Sequence, residues 1–121
     1  PHRSTSSRSS RSRSLILDQD RALNQLQVTA IIAEREILRY TPAGLPIVNA
    51  VLQHSSQQME AGIARLTEFD VAALAAGEIS GRFSQASLGG VYQFTGFLAR
   101  KSRNSKSLVF HIIDFSAVNS D

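Results

Sequence analysis

Near its end the chain carries two strand-like runs separated by a short cationic stretch, and this pattern restricts the possible folds more than any other. Val91 to Leu98 and Leu108 to Ile113 are rich in β-branched and aromatic residues, which suits a pleated, half-buried surface. Between them Arg100, Lys101, Arg103 and Lys106 fall within seven positions, with no acidic residue among them. The pattern predicts a β-hairpin, within Gly89 to Val118, that ends in a basic finger. Like charges so close repel one another, and a polyanion would relieve that cost. An ordinary solvated loop that aids solubility is the alternative reading of the same residues.

Composition narrows the class. A chain of 121 residues, 42% hydrophobic, suffices for one domain with one core. No run approaches the roughly 18 apolar residues of a membrane span, and no apolar signal segment follows the basic start. The expectation is a soluble, cytoplasmic protein without membrane contact. The lack of cysteine removes disulfides, thiol chemistry and the commonest zinc sites, so no cofactor is expected. The formal charge is +3, but Arg3, Arg8, Arg11 and Arg13 lie in the first 14 residues without an acid. From residue 15 onward nine cations face ten acids, a net of −1. Any electrostatic attraction for nucleic acid therefore rests on local concentration, since four of those nine lie between Arg100 and Lys106.

Residues 1–14 alternate serine and arginine with nothing to bury. They read as a disordered leader or, because the chain starts without methionine, an expression-derived tag. Residues 15–23 are ambiguous, and the folded domain is expected over 24–118. From there Leu26, Val28, Ala30 and Ile32 alternate with Gln25, Gln27 and Thr29, the period of a half-buried strand. Thr41, Pro42, Ala43 and Gly44 make a turn, and Leu45 to His54 a second strand with Pro46 near its start. The polar stretch Ser55 to Gly62 reads as a loop. Ile63 to Ala76 divides: Val71 to Ala76 before Gly77 suits a helix with a glycine stop, whereas Ile63, Leu66, Thr67, Phe69 and Val71 suit a bent strand. Glu78 to Leu88 reads as an irregular connection with one helical turn. Counted with Ile63 to Ala76 as a strand, the chain has five strands. That matches an all-β, five-stranded Greek-key barrel of the oligonucleotide-binding (OB) type, whose last loop lies beside the binding face.

Several stretches together resemble a known family: Thr41, Pro42, Ala43, Gly44, Leu45 and Pro46, then Val51, Leu52, Gln53 and His54, then Ala61 and Gly62. Gly96 and Phe97, with Leu108, Val109, Phe110 and His111, complete the likeness. The family is the PriB-type primosomal replication protein N, a small relative of single-stranded DNA-binding protein used in bacterial replication restart. The resemblance covers about residues 24–116 and favours strand for Ile63 to Ala76. It implies a homodimer of OB folds that binds single-stranded DNA, associates with the restart helicase PriA and single-stranded DNA-binding protein, and recruits DnaT, without catalysis. The family's cationic loop positions correspond to Lys101, Arg103 and Lys106, with Arg100 at the base of the loop, and another basic position to Arg39. Aromatic positions of the family fall at Ile63 and Glu68, and a basic one at Ser55. Losing an aromatic platform costs about 1–3 kcal/mol per base. Tyr40, Phe69 and Tyr92 are the aromatics left to supply one. Core packing or a dimer contact is the other reading for Phe69, Tyr92 and Phe97. The expected site is thus Arg39, Tyr40, Phe69, Arg100, Lys101, Arg103 and Lys106.

Catalysis finds no support. His2, His54 and His111 lack metal-ligand spacing, and no phosphate-binding or dinucleotide glycine motif occurs. His54 and His111 read as structural. Glu34 with Glu36, and Glu68 with Asp70, read as solvated strand faces. Two alternatives to the restart reading remain. One is an interaction adaptor with an OB fold and weak or lost DNA binding. The other is an ordinary single-stranded DNA-binding protein, whose long acidic-tipped tail is not matched by an ending at Asp121. The edges and apolar outer faces of a partly open barrel also predict pairing of two copies.

Overall fold

The alternation beginning at Leu26 forms β1 (Leu26–Arg35) in the computed structural model, which describes residues 22–118. The expected leader lies outside the described residues, as does the ambiguous stretch 15–23 except its last two positions. Ala30 and Ile32 are buried and Val28 half-buried, while Gln27 and Thr29 face solvent. Ahead of β1, Asn24 donates to the Leu98 carbonyl (2.8 Å) and accepts from its N–H (3.1 Å), tying the start of the domain to the last hairpin. A bulge between Ile32 and Glu34 shifts the alternation. Arg35 instead of Glu34 is thereby half-buried, and its guanidinium donates to the Phe83 carbonyl (3.1 Å) and to that of Ala86.

The two-residue β2 (Arg39–Tyr40) precedes the expected turn, in which Thr41 accepts from the N–H of Gly44 through its carbonyl (2.8 Å) and from that of Leu45 through its Oγ1 (3.1 Å). Beyond it β3 (Pro46–Glu60) and β4 (Ile63–Ala76) pair without interruption from Ile47 opposite Ala76 to Glu60 opposite Ile63. This corrects the reading of Ser55 to Gly62 as a loop: six of those residues are strand. Most of this half of the ribbon lies beyond the core, so no hydrophobic alternation marks it. Only Ala61 (φ 53°) and Gly62 (φ 77°) form the turn, both with the positive φ that a tight type I′ hairpin needs.

Ile63 to Ala76 is strand throughout, despite the helical propensity of its alanines. Ala73 and Ala75 pair in parallel with Phe110 and Ile112 of β6 (Leu108–Ala117), where small inward side chains leave room for the aromatic core. The connection from Glu78 holds a seven-residue helix, α1 (Glu78–Ser84), longer than the single turn expected. Its Phe83 is fully buried and meets Phe94 and Phe115 edge-on, with centroids 6.2 and 5.7 Å away. Arg82 lies over the Phe115 ring and binds Asp114 at 2.6 Å. That bond, with the Phe115 backbone, holds the Asp114 carboxyl below its ordinary pKa.

The terminal hairpin is β5 (Val91–Arg100) against β6. Gly96 is required there, since a Cβ would overlap the His111 carbonyl oxygen. A bulge at Ile113 turns both Ile112 and Phe115 into the core. The strand order is β1-β5-β6-β4-β3-β2, and pairing of β1 with β3 closes a barrel of five strands with β2 added outside β3. The expected Greek-key barrel is therefore present, filled by Ile32, Val48, Leu52, Phe94 and Phe110 and plugged by Phe83. No helix among the described residues is long and apolar enough to cross a membrane.

Candidate nucleic-acid interface

Strand alternation that turns Val48, Ala50, Leu52, Ala73, Ala75, Phe110 and Ile112 into the core must turn their neighbours outward. Asn49, Val51, Ala72, Leu74, Val109 and His111 accordingly floor an open trough of about 510 Å³ on the outside of β3, β4 and β6. Arg39, on β2, borders it at one end of the strand order, and Arg100 and Lys101, at the end of β5, border it from the other. Glu34 and Glu36 also line it.

The basic finger has internal order. The Lys101 N–H donates to the Ser107 carbonyl (2.9 Å), that of Ser105 to the Ser102 carbonyl (3.1 Å), and that of Ser107 to the Ser105 Oγ (3.0 Å). Arg100 also donates to the Arg103 carbonyl at 3.1 Å. Arg103 and Lys106 sit exposed on this loop and do not line the trough. Other cations of the domain are engaged: Arg65 pairs with Glu60 at 2.7 Å, Arg82 with Asp114, and Arg35 with α1. Among the described residues, Arg39, Arg100, Lys101, Arg103 and Lys106 have no carboxylate at ion-pair distance. The cations clustered in the sequence thus border one side of the trough or extend from it, and Arg39 borders the other.

The aromatics separate. Tyr40 is exposed beside Arg39 but does not line the trough. Phe69 shares the inner side of β4 with Val71 and Ala73, and lines a different groove of about 840 Å³ with Leu26, Val28, Leu98 and Leu108. There it stacks on His54, its cross-strand partner, at 4.9 Å. Tyr92, offered above as a substitute platform, packs against Phe94 and Phe115 and accepts the Ser87 N–H at its hydroxyl (2.9 Å), so its core reading holds. His54 fits a structural role: Nδ1 lies 2.6 Å from the Thr29 carbonyl, which can only accept, so Nδ1 carries the proton and Nε2 accepts from Ser56 Oγ at 2.7 Å. His111, by contrast, lines the trough, with Phe97 stacked on it at 4.8 Å and 3°. Alternation with Phe94, Phe110 and Ile112 was the available signal that both rings point outward.

Glu68 and Asp70 lie on the same side of β4 as Ala72 and Leu74. The outer half of the ribbon therefore presents carboxylates on the trough side, which repel phosphates, whereas the trough itself has Arg39 on one side and Arg100 and Lys101 on the other, together with Glu34 and Glu36. No group of three or more His, Asp or Glu residues that could hold a metal occurs among the described residues.

Comparison with known proteins agrees with the fold. Residues 24–114 match a family model described as another single-strand binding protein family. The replication restart protein PriB of Nitrosomonas europaea is 41% identical over 91 residues, spanning 75% of this chain and 84% of the relative. The PriB of Bordetella pertussis is 34% identical over 90 residues, with 74% and 84% covered. Among solved structures, PriB from Ralstonia solanacearum superposes with a TM-score of 0.75 at 47% identity, covering 81% of this chain and all of that one. The wild-type single-stranded DNA-binding protein of Thermus aquaticus, at 22% identity, TM-score 0.62, 81% of this chain and 51% of that one, shares the fold alone.

Proposed function

Because the chain belongs to the PriB-type single-strand binding protein family, we propose that it binds single-stranded DNA as a non-catalytic component of bacterial replication restart. The observation that carries this reading is the set of five cations on and beside the trough that have no carboxylate at ion-pair distance among the described residues. Arg39, Arg100 and Lys101 border it, and Arg103 and Lys106 extend the positive surface up the finger. A strand laid across the outer face of β3, β4 and β6 meets phosphate-binding groups from both sides. Phe69 faces the other groove, and Tyr40 stands outside the trough as an additional contact.

To the same reading belong a homodimer and contacts with PriA, DnaT and single-stranded DNA-binding protein. The dimer is supported by β1. Its first half pairs with β5 on one side only, and the opposite edge meets only the His54 ring among the described residues. Sedimentation velocity tests it, and a monomer at tens of micromolar would refute it.

The DNA reading is tested by fluorescence anisotropy with a labelled oligo(dT) of about 30 nucleotides at several salt concentrations, using the full chain and one lacking residues 1–14. Both should bind saturably, more weakly as salt rises. Lys101→Ala with Arg103→Ala should flatten the log–log salt slope by about 1.4, at about 0.7 per phosphate contact on a single strand. Unchanged affinity and slope would sink the assignment of the finger. The carboxylates of Glu68 and Asp70 favour a second reading, a protein adaptor with the DNA face weakened. Absence of binding by the wild-type chain at low salt would establish it.

A further inference from the structure

We propose that His111, backed by Phe97, is a base-stacking platform on the trough floor. The inference rests on the single-stranded DNA reading above and adds what the cationic rim cannot supply, a flat surface for the bases. Four observations carry it. Phe97, His111, Leu74 and Asn49 form one row across β5, β6, β4 and β3, each paired with the next. The row therefore runs across the floor between the two cationic rims. The Phe97 and His111 rings are nearly coplanar in orientation, 3° apart with centroids at 4.8 Å, so Phe97 covers one face of the imidazole and holds it upright. His111 also lines the trough, which Phe97 does not, so the imidazole stands on the trough side of the pair. Finally, among the described residues neither ring nitrogen of His111 has a hydrogen-bond partner, whereas both nitrogens of His54 do. An imidazole free at both nitrogens keeps donor and acceptor capacity for a base edge.

A base joining the stack on the trough side lies between cations that engage the neighbouring phosphates, the combination that sequence-tolerant single-strand binding uses. It needs no aromatic at Ile63 or Glu68. The platform discriminates a strand with bases from one without, and is indifferent to which base it holds.

Anisotropy titrations of the full chain test this, with oligo(dT) and with a strand of the same length carrying abasic sites throughout. His111→Ala should weaken oligo(dT) binding about 5- to 150-fold, the span of one lost stacking contact. It should leave the salt slope and abasic-strand affinity unchanged. His111→Phe, which keeps a ring, should retain oligo(dT) affinity within about threefold. Circular dichroism melts report that each variant is folded. The proposal is overturned if folded His111→Ala binds oligo(dT) as the wild type does, or weakens both strands equally. In those cases the DNA reading survives, because the wild type still binds with a salt-dependent affinity. Wild-type chain that binds neither strand at low salt would remove both.

Discussion

The β3–β4 ribbon is one unbroken ladder made of two unlike halves. In its inner half, Val48, Ala50 and Leu52 face Ala75, Ala73 and Val71, respectively, across the inner side, and all but half-buried Val71 are buried. In its outer half, from Ser55 to Glu60 and back from Ile63 to Glu68, most residues on both sides are exposed. His54 stacked on Phe69 marks the joint, where the pairing of β3 with β1 has just ended at Gln53. The same backbone pairing serves both halves, so hydrogen bonding alone does not distinguish them. Burial sets where stability resides, and pairing with a tight turn is enough to continue a strand past the core.

Substitutions along the ribbon can break or sharpen that contrast. Leu52, fully buried opposite Val71 and Ile32, should show the largest effect. Leu52→Ala is expected to cost about 2–5 kcal/mol in urea denaturation, through lost transfer energy and the cavity left behind. A cost below about 1 kcal/mol would mean that the inner half is not what holds the barrel. At the joint, His54→Ala deletes two hydrogen bonds and the Phe69 stack, but its partners Thr29 and Ser56 lie near solvent. About 1–2 kcal/mol is expected by the same measurement.

The inner half was legible in the sequence, and the outer half was not, for the same physical reason. Alternation of Leu26, Val28, Ala30 and Ile32, and the apolar runs on each side of the basic finger, record contact with a core. Ser55 to Glu60 touches none, so its strand left no periodic trace, and the turn at Ala61 and Gly62 was its one local signal. The alanines of β4 pulled in the other direction, since propensity favours a helix where space beside Phe110 and Ile112 requires small side chains in a strand, and the family resemblance decided for the strand. At the site, the charge cluster from Arg100 to Lys106 was legible in the residues, whereas Arg39 entered only through the family resemblance. Phe69 lines the other groove, and its side of the sheet was not legible because its parity on β4 depends on where the ribbon turns. His111 and Phe97 were read as structural because a histidine and a phenylalanine among apolar residues look alike whether they face the core or the trough.

The turn at the tip gives a smaller effect of opposite sign. Ala61 holds a left-handed φ of 53°, which costs a residue with a Cβ about 1–2 kcal/mol. Ala61→Asn creates the Asn-Gly pair that such turns prefer and should stabilise by about 0.5–1 kcal/mol. An unchanged or lowered urea midpoint would show that the outer half frays before its turn contributes anything.

Leu66 should show the smallest effect, and it tests the contrast most directly. It sits in the middle of the outer half opposite Gln57 and is 66% exposed, so its side chain has little surface to lose. Leu66→Gln keeps the length of the side chain and the backbone ladder, and should change stability by no more than about 0.5 kcal/mol. Measuring it at two protein concentrations tenfold apart separates two origins of any larger change. A cost of more than about 1 kcal/mol at both would mean that the ribbon folds back on the barrel in solution. The same cost at the higher concentration alone would mean that another copy covers the ribbon, since only an associating surface depends on mass action. Either result would give the outer half a packing role and end the division drawn from its exposure. A change near zero at both concentrations would leave pairing and the turn as its whole support.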